Sequence, residues 1–186
     1  MDLQQLSDLW EIQKLKARYF RCMDLRLWDE FRDVFTDDLE LYIENTKTPQ
    51  AQTPTINGAD ALVAYLSASD PRKVTIHQGH MPEIEFLDAD HATGIWAMFD
   101  WVDDPGRGFA GQGFGHYHER YVRCPDGKWR ISSVRLTRLR ANKVPHLESD
   151  QLISLDRDTL AAVAHLQRPS QGHHEVEPRP PAASAQ

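Results

Sequence analysis

Leu6, Leu9, Ile12, Leu15 and Tyr19 recur at spacings of three and four, which predicts an amphipathic helix over residues 3–22. Ser7 or Asp8, with Glu11 near the capping-box position, is its candidate N-terminal cap. Trp28, Phe31, Val34 and Phe35 keep the helical period and predict a second helix from about 25 to 35. Leu39-Glu40-Leu41-Tyr42-Ile43 alternates like a short strand, and the Thr-, Pro- and Asn-rich stretch 45–57 reads as loop. A third helix is expected over 58–69, with Leu62, Tyr65 and Leu66 as its apolar stripe and Pro71 beyond its end.

Past Pro71 the pattern changes to strands. They are expected at 74–80, 83–87, 92–102, 111–123 and 129–138, with turns at Asp88-Ala89-Asp90-His91 and Pro125-Asp126-Gly127. Helices followed by a strand meander predict an α+β fold, the three helices packed on one face of a curved antiparallel sheet. Glycines at 106, 108, 111, 113 and 115 would permit strong bending or the close approach of a ligand. A weaker helical pattern through Leu152, Leu155, Leu160, Val163 and Leu166 predicts a helical extension within 146–168. The Pro-, Ser- and Ala-rich residues 169–186 read as a disordered tail, which leaves 1–145 as the main domain.

Composition narrows the function classes. With 186 residues, 40% hydrophobic and 26% charged, the chain suits one globular domain with a real core. A net charge of -7 argues against general nucleic-acid binding. Two cysteines, Cys22 and Cys124, are too few for a disulfide framework and read as reduced thiols. No apolar run approaches a membrane span and no signal core opens the chain, so a soluble cytoplasmic protein without a membrane partner is expected.

The candidate chemistry gathers at a few polar residues beside apolar faces. Tyr19 lies on the first helix's stripe and Asp24 at the junction with the second, where a carboxylate could simply cap that helix. His77 shares its strand side with Thr75 and Gly79. A neutral imidazole held by a carboxylate can act as a general base near pH 7, and Asp24 is the candidate holder. A tyrosine hydroxyl can stabilise an enolate as charge develops, and Tyr19 is the candidate donor. Those roles together fit proton abstraction beside a carbonyl. Asp100 sits mid-strand between Phe99 and Trp101, and its carboxylate needs a cation if buried, with Arg138 as one possibility. Arg135, Arg138, Arg140 and Lys143 could also hold a substrate phosphate or carboxylate. His116 and His118 share a strand face and count as candidate substrate-binding residues. The run His116-Tyr117-His118-Glu119 as a metal triplet is the lesser reading.

Several of these runs fall in a familiar register. Tyr19-Phe20-Arg21-Cys22-Met23-Asp24, Trp28-Asp29-Glu30, His77-Gln78-Gly79-His80-Met81-Pro82-Glu83-Ile84 and Ala92-Thr93-Gly94-Ile95-Trp96, together with Asp100, make residues 10–145 resemble the SnoaL-like group of the nuclear transport factor 2-like superfamily. Within it the resemblance is greatest to the bile acid 7α-dehydratases, and more distant to scytalone dehydratase. The resemblance implies a cone-shaped α+β half-barrel, with Tyr19, Asp24 and His77 catalytic and Asp100 and Arg138 supporting. It also implies no cofactor, no metal and a homotrimer. The implied reaction is loss of water from a small hydrophobic hydroxy-ketone, steroid-like or a coenzyme A thioester. An isomerase or polyketide cyclase using the same pocket, or a non-enzymatic ligand-binding domain, are the alternatives. The stretch Asn45–Asn57, the two histidines at 116 and 118 and the C-terminal segment depart from the group's pattern.

Overall fold

The computed structural model describes residues 2–44 and 55–144. The expected C-terminal extension and tail, and most of the loop at 45–57, lie outside the described residues. Helix α1 spans Leu3–Asp24. Its N-cap is Asp2: the Asp2 carboxylate accepts from the Gln5 backbone N–H at 2.8 Å, and Gln5 Oε1 accepts from the Asp2 N–H at 3.1 Å. The cap therefore lies ahead of the expected Ser7 or Asp8. Because the helix starts earlier, Asp8 falls on its packed face and is buried.

Helix α2 is short, Trp28–Arg32, because the chain is drawn into the sheet sooner than its helical period suggests. The Ile131 N–H donates to the Val34 carbonyl at 2.9 Å, and strand β1 already runs over Phe35–Ile43. Between α1 and α2 the backbone turns through Arg26 at φ 58°, a sparsely populated region for a residue with a Cβ. The Arg26 guanidinium helps hold that turn by donating to the Ser69 and Asp70 carbonyls at 3.2 and 3.1 Å. Strand β2 is the pair Ile56–Asn57, and helix α3 is Ala59–Ser67.

The remaining strands are β3 Val74–Phe86, β4 His91–Asp104, β5 Phe109–Arg123 and β6 Trp129–Val144. With β1 and β2 they form one curved six-stranded sheet in the order β2-β1-β6-β5-β4-β3. The meander β3 to β6 is antiparallel as expected, but β1 enters beside β6 in parallel, so the sheet is mixed. The two strands expected at 74–80 and 83–87 are one strand, β3, with an irregularity between His80 and Glu83 where Met81 has φ 41°. Such a bulge shifts the side-chain phase. Thr75, His77 and Gly79 face one side ahead of it, and Pro82, Ile84 and Phe86 face the same side beyond it. Gly127 takes φ 77° in the β5–β6 turn.

Ile12, Leu15, Tyr19 and Cys22 of α1 share one core with Phe31, Phe35, Trp96, Tyr117, Tyr121, Trp129 and Ile131. The inner sheet face and α1 thus make the two main walls of the α+β cone. Cys22 and Cys124 are both free thiols. Among the described residues no helix is long and apolar enough to cross a membrane.

Candidate active site

The Asp24 carboxylate at the end of α1 does not cap α2, whose N-terminus has no side-chain cap. It reaches β3 instead. Asp24 Oδ1 accepts from His77 Nδ1 at 2.6 Å and from Thr75 Oγ1 at 2.9 Å, while Oδ2 accepts from the His77 backbone N–H at 2.8 Å. A carboxylate so placed grips both the ring and the main chain of His77. Since an ionised carboxylate only accepts, the Nδ1 carries the hydrogen, and in the neutral ring that leaves the lone pair on Nε2. The His77 side chain is 7% exposed and that of Asp24 21%. The ring is shielded from bulk water, and the pair still borders an opening.

His77 lies opposite Asp100 in the β3–β4 register, and Asp100 lies opposite Gly113 in β4–β5. Arg138 of β6 donates Nη1 to Asp100 Oδ1 at 3.1 Å and Nη2 to Oδ2 at 2.6 Å, a two-point fork on a buried carboxylate. The two residues come from strands separated by β5. The bridge is possible because β5 presents Gly113 there: a Cβ on Gly113 would overlap both Arg138 Nη1 and Asp100 Oδ1.

Tyr19 is buried on α1, with its ring edge-on to Phe20 and Phe35 and 6.1 Å from that of Tyr117. Burial pushes its hydroxyl well above the ordinary phenol range, and the negative charges of Glu119, Asp24 and Asp100 push it further. Tyr19 is therefore a neutral O–H donor at physiological pH. Asp24 with His77 and Asp100 with Arg138 thus form two polar pairs, while the described contacts of Tyr19 are with Lys16 and the aromatic rings of the core.

His116 and His118 do not join them. In β5 the buried, inward positions are Gly113, Gly115, Tyr117, Glu119 and Tyr121, and the two histidines alternate with these on the outer face. Their rings are 6.1 Å apart, and His118 Nε2 is 3.2 Å from Thr137 Oγ1. The expected substrate-binding role of His116 and His118 is corrected accordingly. Glu119 points to the opposite face, so the triplet is not a metal site either. Burial and the neighbouring His116 lower the His118 pKa.

Three further inner residues are Lys16, which the sequence pattern did not single out, and Tyr117 and Glu119, which entered only through the metal-triplet reading. Lys16 lies on the apolar face of α1, four residues from Ile12 and three from Tyr19, and a charge at that spacing was the available signal. Its Nζ donates to Glu119 Oε1, and both side chains are fully buried. Glu119 Oε2 accepts from the Tyr121 hydroxyl at 2.5 Å, and the Tyr121 oxygen in turn accepts from Trp96 Nε1 at 2.7 Å.

The Asp24–His77 pair, the buried Tyr19 phenol and the forked Asp100–Arg138 pair thus belong to an α+β cone of the nuclear transport factor 2-like fold. The chain belongs to the SnoaL-like domain family, whose model matches residues 4–135. It is 27% identical over 134 residues to Probable cyclase FGR4 of Gibberella zeae, covering 69% of this chain and 89% of that one. Its fold matches the crystal structure of a hexachlorocyclohexane dehydrochlorinase, LinA Type2, at a TM-score of 0.68 and 21% identity, covering 82% of this chain and 100% of the other. It also matches a candidate scytalone dehydratase of Novosphingobium aromaticivorans at a TM-score of 0.66 and 18% identity, covering 80% and 94%. These relatives carry the names of a cyclase, a dehydrochlorinase and a dehydratase.

Proposed function

We propose that the protein is a hydro-lyase that removes water from a hydroxylated ketone or acyl thioester. The observation that carries this reading is the grip of Asp24 on His77, at 2.6 Å to the ring and 2.8 Å to the main chain. It leaves Nε2 as the atom that takes a proton activated by the neighbouring carbonyl. The electron pair of that C–H bond moves into the carbonyl, and the enolate oxygen accepts a hydrogen bond from the Tyr19 hydroxyl. The imidazolium, steadied by Asp24, then returns its proton to the departing hydroxyl as the C–O bond breaks. Water leaves and a conjugated double bond remains. Asp100 and Arg138 hold a polar group of the substrate beside the imidazole. A steroid-like or coenzyme A-linked substrate and a homotrimer are part of the proposal, resting only on the resemblance of the sequence runs given above to the bile acid 7α-dehydratases, and sedimentation equilibrium tests the trimer.

The test is His77→Ala and Tyr19→Phe, assayed on a panel of hydroxy-ketosteroids and hydroxyacyl thioesters with product masses recorded. Loss of one water from a substrate, strongly reduced in both variants, is the expected result. Unchanged turnover in both variants would sink the mechanism. The likeness to a probable cyclase favours a second reading, in which the same base drives ring closure, and a product of unaltered mass would select it.

A further inference from the structure

Three cations of the packed interior each meet a carboxylate: Lys16 meets Glu119, Arg123 meets Asp8 and Arg138 meets Asp100. Lys73 does not. Among the described residues no carboxylate oxygen lies within 4.0 Å of its Nζ, and that nitrogen donates no hydrogen bond. Nor is Lys73 a freely solvated surface lysine. Half-buried and exposed positions alternate along the start of β3, and Lys73, Thr75, His77 and Gly79 are the half-buried set. Lys73 therefore lies on the side of the sheet that carries the imidazole. Burial holds its ammonium below the ordinary lysine range, against the pull of Asp104, and the charges of Arg107 and Arg26 act with burial. Asp104 is itself taken up by Arg107, accepting from its backbone N–H at 3.2 Å and facing its guanidinium at 3.7 Å. A partly desolvated charge without a counter-charge costs stability, and a ligand that supplies one offsets the loss.

A narrow cleft reaches this lysine. Asp24, Arg26, Trp28, Ser69, Lys73 and Thr75 are among its walls, and its room of about 20 Å³ takes one water or one oxygen of a ligand. That width suits the flat end of a carboxylate better than the tetrahedron of a phosphate. Two of the walls, Asp24 and Thr75, belong to the grip on His77, so the cleft adjoins the proposed base. Arg26 and Lys73 are its cations and Asp24 its one anion. Asp24 already accepts three hydrogen bonds. Arg26 is tied to the Ser69 and Asp70 carbonyls, with its guanidinium 5.4 Å from the Trp28 ring centroid. Lys73 is the wall whose charge remains to be met.

Four residues separate Lys73 from His77, about 13 Å between Cα atoms in extended chain, and the lysine stem can cover a few ångströms of that span. We propose that Lys73 determines specificity by holding a terminal carboxylate of the substrate in this cleft, so that the substrate is a hydroxy-keto acid whose carboxylate stands about 10 Å from the carbon that yields its proton to His77. This rests on His77 as the base, as given above.

The test uses two probes that differ in one charge, 8-oxononanoate and its methyl ester, with binding to the purified full chain followed by calorimetry. Neither has a hydroxyl to lose, so binding is read without turnover. Wild type is expected to bind the acid about ten-fold more tightly than the ester, the size of one charge-assisted contact. Lys73→Met should bring the acid down to the ester and leave the ester within about two-fold, while Lys73→Arg keeps the preference. Circular dichroism checks the fold, and Lys73→Gln is a second variant without the charge. Wild type that fails to bind the acid, or binds both probes alike, overturns the inference, and so does an acid preference retained in Lys73→Met or Lys73→Gln. In that case the cleft holds a water only. The parent reading fails separately. Absence of water loss from every hydroxy-ketone would remove the hydro-lyase, whereas an acid preference that depends on Lys73 and survives in His77→Ala would still establish the carboxylate seat.

Discussion

Helix α1 delivers two carboxylates to the sheet, Asp8 and Asp24, sixteen residues and about 24 Å apart along its axis. Each is met by three donors. Asp8 accepts from Arg123 Nη2 at 2.6 Å, Trp129 Nε1 at 3.1 Å and Gln4 Nε2 at 3.1 Å. Asp24 accepts from the His77 ring, the His77 main chain and Thr75. Hydrogen-bond satisfaction does not separate the two. The partners do. A guanidinium, an indole and an amide keep their protons throughout the neutral range, so the Asp8 cluster can only bind. The imidazole beside Asp24 has a second nitrogen that can take and return a proton. The Asp8 end is a rivet, with the Arg123 guanidinium also lying over the Trp129 ring at 4.6 Å. The Asp24 end is a rivet with one part that can pass a proton on.

Exchanging the roles gives the largest expected effect. His77→Ala should lower kcat/KM about 10²–10⁴-fold on a turned-over hydroxy-ketone, while its unfolding midpoint in urea stays close to wild type. Asp8→Ala should do the reverse. It leaves Arg123 with only the exposed Asp90 carboxylate and the Ala89 carbonyl, and Trp129 Nε1 without its acceptor, and should destabilise the fold by about 1–3 kcal/mol, with kcat/KM unchanged. If Asp8→Ala lowered turnover as strongly as His77→Ala, the division between the two ends would not stand.

Asp24→Asn sharpens the same contrast. The amide is nearly the same shape, so stability should change little. It can present an N–H where the ring Nδ1 also carries a hydrogen, which favours the other tautomer and removes the lone pair from Nε2. A fall of about 10²-fold in kcat with a smaller change in KM is expected. Next in size is Gly113→Ala. The added methyl would occupy the place where Arg138 and Asp100 meet, so the fork must open. A loss of about 1–3 kcal/mol is expected from the overpacking, together with a raised KM, whereas alanine at Gly108, which has open space around it, should leave KM alone.

Much of this was legible along the chain, and the rest was hidden for physical reasons. Period two put His77 on a face with Thr75 and Gly79, which is where β3 holds it. Asp24 could not be resolved from spacing alone, because a carboxylate at a helix junction satisfies a cap or a distant imidazole equally well, and the choice depends on β3 lying 51 to 53 residues away. The parallel seat of β1 beside β6 is likewise a long-range pairing with no local signature. The shared face of His116 and His118 follows from period two, but which side of the sheet that face takes does not. The glycines at 113 and 115 fix that parity, since each sits where a Cβ would collide. Lys16 was legible and passed over: one charge on an otherwise apolar stripe.

The smallest effect expected concerns pH, and it separates the two ends without any substrate. Burial alone would raise the Asp8 pKa, but the bonds from Arg123, Trp129 and Gln4 and the Arg123 charge outweigh it and hold the carboxyl below its usual range. The folded state therefore binds the proton less readily than the unfolded chain does. Asp8 contributes stability above its unfolded pKa of about 3.9, and that contribution is lost as pH falls through the lower folded value. Asp8→Asn removes the titrating group. Its stability should lie below wild type at pH 7, and the gap should narrow through the acid limb as the wild-type carboxyl takes up its proton. Urea unfolding at a series of pH values from neutral to acid checks this. A gap that stays constant across the series would mean that Asp8 holds the sheet by shape and hydrogen bonding alone, and its charge would cease to be what distinguishes a rivet from a base on the same helix.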